Sequence, residues 1–130
     1  MIQQKLAVAN PTVSRLQSAL AISHHNIGNL LSATGKPAEA LKAHESALAI
    51  SQRLAAADLT VTEFQSDLAR SHNNIGTLLS DTGKPAEALK AYEAALVIQQ
   101  KLAYANPTVI RFRSVLAISH HNTGTLLRPT

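Results

Sequence analysis

The residues best suited to chemistry are six histidines, four of them in the adjacent pairs His24-His25 and His120-His121. In a chain with no cysteine such pairs raise the question of a metal site. Neighbouring residues of a helix point about 100 degrees apart, so neither pair chelates as ligands spaced i, i+4 would. We therefore expect no metal and no cofactor. His24, His72 and His120 instead fall on an apolar helical face as interior hydrogen-bonding residues, near where His44 and Tyr92 should arrive. Ser23, Ser71 and Ser119 each precede a residue of the histidine-asparagine stretch, but adjacency on a helix makes no base-nucleophile pair. With no glycine-rich phosphate loop, no nucleophile elbow and no paired carboxylates beside a histidine at a motif spacing, no enzyme is expected. Lys36-Pro37 and Lys84-Pro85 belong to turns.

A different chemistry is available to Asn26, Asn74 and Asn122, which recur at intervals of 48 residues. Asparagine is a middling to poor helix former because its amide competes for backbone hydrogen bonds. The same amide offers a donor and an acceptor, matching the N–H and C=O of an extended peptide. Helices about 10 Å apart would let each asparagine meet every third residue of a strand rising about 3.3 Å per residue. Selectivity would then rest with the variable neighbours His25/Asn73/His121, Asn29/Thr77/Thr125 and Ile22/Arg70/Ile118. The competing reading is that these amides bond to one another, to backbone or to water, and that their recurrence records duplication. Both readings stand at this level.

The elements that must position these residues follow from the same period. Gly28, Gly76 and Gly124 are 48 apart, as are Leu6, Leu54 and Leu102, and residues 3–50 match residues 51–98 at 32 of 48 positions. A period of about 20 to 50 residues indicates an array whose units bury their apolar faces against neighbours. Val13, Leu16, Leu20, His24, Ile27 and Leu31 are spaced by three and four, one face of a helix A; Leu20, Ile27 and Leu31 should take the core. Ala40, Leu41, His44, Ala47, Leu48 and Leu54 do the same for a helix B. Gly35 and Gly83 suit left-handed helix ends, Pro37 and Pro85 suit first helical positions, and Glu39 and Glu87 suit the first-turn dipole. Thr60 with Glu63 has the form of a capping box, and Thr12 and Thr108 occupy the equivalent place. Pro11 and Pro107 separate B from A.

These signals predict an all-α solenoid of antiparallel helix pairs in a single repeat domain. A partial B helix (1–10, helical over about 2–9) precedes repeat 1 at 11–58, with helices A1 12–34 and B1 37–57. Repeat 2 follows at 59–106, with A2 60–82 and B2 85–105. Residues 107–130 carry the A helix of a truncated third repeat, about 108–128. Neither end shows a polar cap, so the expectation is either a piece of a longer array or a chain whose open ends pair in a homo-oligomer.

Alanine and leucine dominate over aromatic and β-branched residues, which favours helix over sheet. The net charge is +4, with basic and acidic residues interspersed until Arg111, Arg113 and Arg128, which lack acidic neighbours in the sequence. With so few aromatics for base stacking, no nucleic-acid partner is expected. No apolar run approaches the roughly 18 to 20 residues that span a bilayer, the N-terminus makes a poor secretory signal, and cysteine is absent, so a cytoplasmic protein without a membrane partner is expected.

The arrangement resembles the tetratricopeptide repeat. Ile27-Gly28, Leu31, Gly35, Ala40, His44 and Ala47 stand in the places of that family's pattern, and Ile75-Gly76, Leu79, Gly83, Ala88, Tyr92 and Ala95 match it more fully. Histidine stands where the family often has tryptophan, and the period is 48 rather than about 34. Longer helices account for the difference, a form similar to the repeats of kinesin light chain and of bacterial arrays, which carry Asn-Asn-Leu-Ala where this chain has Asn73-Asn74-Ile75-Gly76. The resemblance implies a right-handed superhelix, and a protein or peptide partner held on a concave surface lined by the A helices.

Overall fold

The computed structural model describes residues 11–58 and 60–127, so the partial helix expected at 2–9 lies outside the described residues, as does the side chain of Thr125. Among the described residues the chain is helical without strands: α1 (Pro11–Ala33), α2 (Pro37–Ala57), α3 (Thr62–Asp81), α4 (Pro85–Ala105) and α5 (Ile110–Leu127). The A helices are α1, α3 and α5, and the B helices are α2 and α4. Each helix packs chiefly on its chain neighbours, α1 on α2 through to α4 on α5. That nearest-neighbour pattern is an all-α solenoid.

The A-to-B turn is dictated by Gly35 and Gly83, whose φ values are +81 and +80 degrees. Lys36 N–H donates to Leu31 O at 2.8 Å and Gly35 N–H to Ser32 O at 3.1 Å, the paired bonds that close a helix on a left-handed residue. Lys84 and Gly83 repeat both bonds to Leu79 and Ser80. Proline then opens α2 and α4 with a fixed φ and no N–H to satisfy. Gly35→Ala should lower stability by about 1 kcal/mol, since a β-carbon disfavours this region, and urea unfolding will read the loss.

The B-to-A connection departs from the expected capping box. Asp58 Oδ1 accepts from the Thr60 N–H at 3.0 Å and from its hydroxyl at 2.6 Å, and these bonds hold the Asp58 carboxyl below its usual range. A carboxylate is the stronger acceptor, so the Thr60 hydroxyl serves as a donor to it and the helix starts at Thr62 behind Val61 without a side-chain cap. Thr12 lies inside α1, and Thr108 precedes α5 by two residues.

The core is built from small residues that let helices approach: Ala40, Ala47, Ala69, Ala88 and Ala95 are wholly buried. Leu41 and Leu48 of α2 pack over Ile75, Leu79 and Ala88, while Phe64 of α3 packs on Ala21, Ala47, Ile50 and Leu54. α3 thus lies between two B helices. Its Ile75 is 8 % exposed, yet Ile27, at the same repeat position in α1, is 50 % exposed and Leu20 47 %. Identical spacing gives a buried stripe on α3 and a half-open one on α1, because α3 lies between two B helices whereas α1, among the described residues, packs chiefly on one, α2. The core assignment of Leu20 and Ile27 is corrected accordingly, whereas Leu31 is partly buried.

Candidate functional site

Behind the A helices runs a chain of polar contacts that joins one repeat to the next. His44 of α2 is buried against Gly28, where a β-carbon would stand only 2.7 Å from its Nε2. Dropping into that gap places the ring beside His25, one turn earlier in α1, with the two Nδ1 atoms 3.0 Å apart. His25 Nε2 lies 2.9 Å from Ser71 Oγ on α3, and Ser71 Oγ lies 3.4 Å from Ser51 Oγ on α2. Asn74 Nδ2 closes on His25 Nδ1 at 3.4 Å. An amide nitrogen only donates, so His25 Nδ1 accepts. The neutral His25 ring therefore carries its proton on Nε2 and donates it to Ser71, while His44 donates through Nδ1.

One period on, the seam is rebuilt from other residue types. Asn73 Nδ2 donates to Ser119 Oγ at 3.1 Å, and the Ser119 hydroxyl donates to Gln99. His25, Ser71 and Ser51 thus correspond to Asn73, Ser119 and Gln99, each shifted by 48. Both serines are fully buried. Sequence reasoning assigned them no role; the signal available was a hydroxyl recurring at the period, at Ser23, Ser71 and Ser119.

The histidines are placed differently from expectation. His44 meets His25 rather than His24, Tyr92 hydroxyl meets Thr77 Oγ1 at 2.9 Å rather than His72, and His120 is exposed while His24 and His72 are partly buried. Burial lowers the pKa of His25 to about 4, helped by His44, Arg70 and His24, and burial also lowers His44 and His72. Asp67 is raised by burial against the pull of Arg70, 3.6 Å away.

In front of the seam two polar cavities flank α3. One of about 120 Å³ opens between α1, α2 and α3 and is lined by Asn29, Ser32, His44, Asn74, Thr77 and Asp81. Another of about 230 Å³ lies between α3, α4 and α5, lined by Ser66, Arg70, Asn73, Gln99, Arg111 and Val115. Of the expected binding residues, Asn29, Asn74 and Thr77 reach the first and Arg70 and Asn73 the second. His25 sits in the seam behind them, and Asn26, Asn122 and His121 line neither cavity. Asn73 turns Oδ1 into the structure with no hydrogen-bond partner. Arg111, which has no acidic neighbour in sequence, is paired by the fold with Glu63 at 3.0 Å, both side chains exposed. Glu63→Gln should therefore cost under about 1 kcal/mol in urea unfolding, because exposed pairs are screened.

The family model described as tetratricopeptide repeat matches residues 20–58 and 68–103, more than half of the chain, each match running from within an A helix to the end of its B helix or close to it. The chain belongs to the tetratricopeptide repeat family. No curated protein and no solved structure matches it. Tetratricopeptide repeats generally mediate protein-protein interaction and form a non-catalytic family. In this tetratricopeptide repeat protein no helix among the described residues is long and apolar enough to cross a membrane.

Proposed function

We propose that this tetratricopeptide repeat protein is a non-enzymatic binding module that holds an extended peptide or partner helix along the surface formed by α1, α3 and α5. The observation that carries this reading is the pair of polar cavities on the two flanks of α3, each opening between successive A helices with a B-helix side chain, His44 or Gln99, in its lining. A peptide crossing α3 would pass from one to the other. Asn74 keeps its Oδ1 for such a ligand while its Nδ2 contacts His25, and Asn26 is exposed on α1. The triple substitution Asn26→Ala, Asn74→Ala, Asn122→Ala should leave helicity intact and weaken peptides selected on the wild-type chain from a random display library by about tenfold or more. Unchanged affinity would remove the asparagine ladder.

A second reading, homo-oligomerisation, is favoured by the apolar surface of α1, where Leu16 and Leu30 are each 65 % exposed although Leu78, the repeat equivalent of Leu30, is 6 % exposed. Sedimentation velocity across a dilution series decides it: a mass independent of concentration removes this reading.

A further inference from the structure

We infer that the smaller cavity, between α1, α2 and α3, is a socket for a primary ammonium, the lysine side chain of a bound peptide; this rests on the peptide-groove reading above. Its polar lining is rich in groups able to accept hydrogen bonds. Asp81 contributes a carboxylate that makes no ion pair among the described residues. Asn74 spends Nδ2 on His25, which leaves Oδ1. Thr77 shares one hydrogen bond with Tyr92 and keeps further acceptor capacity, as do Asn29 and Ser32.

The backbone adds the same sign. Asn29 and Ser32 belong to the end of α1, and Thr77 and Asp81 to the end of α3. Two helix C-termini therefore converge on the cavity, and the negative ends of their dipoles favour a cation there. The other cavity has the opposite character, with the Arg70 and Arg111 guanidiniums in its lining. A volume of about 120 Å³ equals roughly four waters at about 30 Å³ each, room for an unbranched chain end. Lysine presents three donors on a compact head with a flexible stem, which suits separate acceptors on two helices better than the planar fork of arginine.

The test has two arms, both on the full chain. In the first, n-butylammonium is titrated into the ¹⁵N-labelled protein, with sodium acetate at equal ionic strength as control. Saturable shifts at the amides of Asn29, Ser32, Asn74 and Thr77, absent with acetate and weakened about tenfold or more in Asp81→Asn, are expected. Equal shifts with acetate, or an unchanged response in Asp81→Asn, overturn the socket. In the second arm, peptides selected from a random display library have each lysine replaced by norleucine. One replacement should cost about tenfold on the wild-type chain and under about twofold on Asp81→Asn. Peptides that bind but are indifferent to the swap overturn the socket and leave the groove standing. Saturable n-butylammonium binding with no peptide selected overturns the groove and leaves the amine site.

Discussion

Gly76→Ala is expected to destabilise the fold by about 2 kcal/mol, whereas Gly124→Ala, at the same position of the next repeat, should stabilise it by about 0.5–1 kcal/mol. A β-carbon at Gly76 would stand 2.7 Å from Cδ1 and Cε1 of Tyr92 and 3.3 Å from the Ala88 carbonyl oxygen. The ring has little freedom to retreat, since Tyr92 is buried and its hydroxyl is bonded to Thr77. Either the ring or the whole α3–α4 contact must shift, and overpacking of this kind costs about 1–3 kcal/mol. Nothing lies within 4 Å of the corresponding point at Gly124. There the substitution only removes the conformational entropy that glycine brings to the unfolded chain and the poor helix propensity it brings to α5. Urea unfolding of both variants reads the two signs. Adding Tyr92→Leu to Gly76→Ala should recover part of the loss, and a coupling of about zero in that double-mutant cycle would refute the ring contact as the cause.

Acid is expected to destabilise the fold through the histidine seam in a definite window. The folded-state pKa of His25 is lowered from 6.5 to about 4, so between those values the unfolded chain binds the extra proton and stability falls as pH falls. Above about 6.5 the contribution is complete, and below about 4 it is gone. His44 and His72, also lowered, act in the same direction. A protonated His25 would turn an Nδ1–H toward two donors, Asn74 Nδ2 and His44 Nδ1, and break the arrangement that binds α1 to α3. Since the ring is only half-buried, solvent screening reduces the effect to about 1–2 kcal/mol. The second seam shows which substitution separates titration from packing, because Asn73 does with an amide what His25 does with an imidazole. His25→Asn should keep the bond to Ser71 and flatten the dependence of stability on pH between 4 and 6.5. An unchanged slope in urea titrations across that range would show that His25 is not its source.

Much of the fold was legible because its signals are local. Gly35-Lys36-Pro37 and Gly83-Lys84-Pro85 carry the ending of one helix and the start of the next in three residues, and α2 and α4 each begin at the proline of that motif. The B-to-A connection was less legible because Thr60 has two possible partners, Glu63 and Asp58, and a pattern of spacing does not weigh acceptor strength. Which faces of an A helix are buried was legible only for α3. Periodicity marks a stripe, but burial depends on the elements that arrive beside it.

The candidate site divides along the same line. From the sequence alone come the repeat, the all-α class, the family, and the recurrence of Asn26, Asn74 and Asn122. The tertiary structure decided the partners: that His44 sits over Gly28 and meets His25, that buried Ser71 and Ser119 stitch neighbouring repeats, that Arg111 finds Glu63, and that acceptors gather where α1 and α3 end. The reason is physical. Helix propensity, caps and turns act over three or four residues and can be read in order along the chain, whereas a hydrogen bond between residues 46 apart, such as His25 to Ser71, depends on the angle and depth at which two helices pack. Those are set by side chains on both helices at once, here by a glycine that admits a ring.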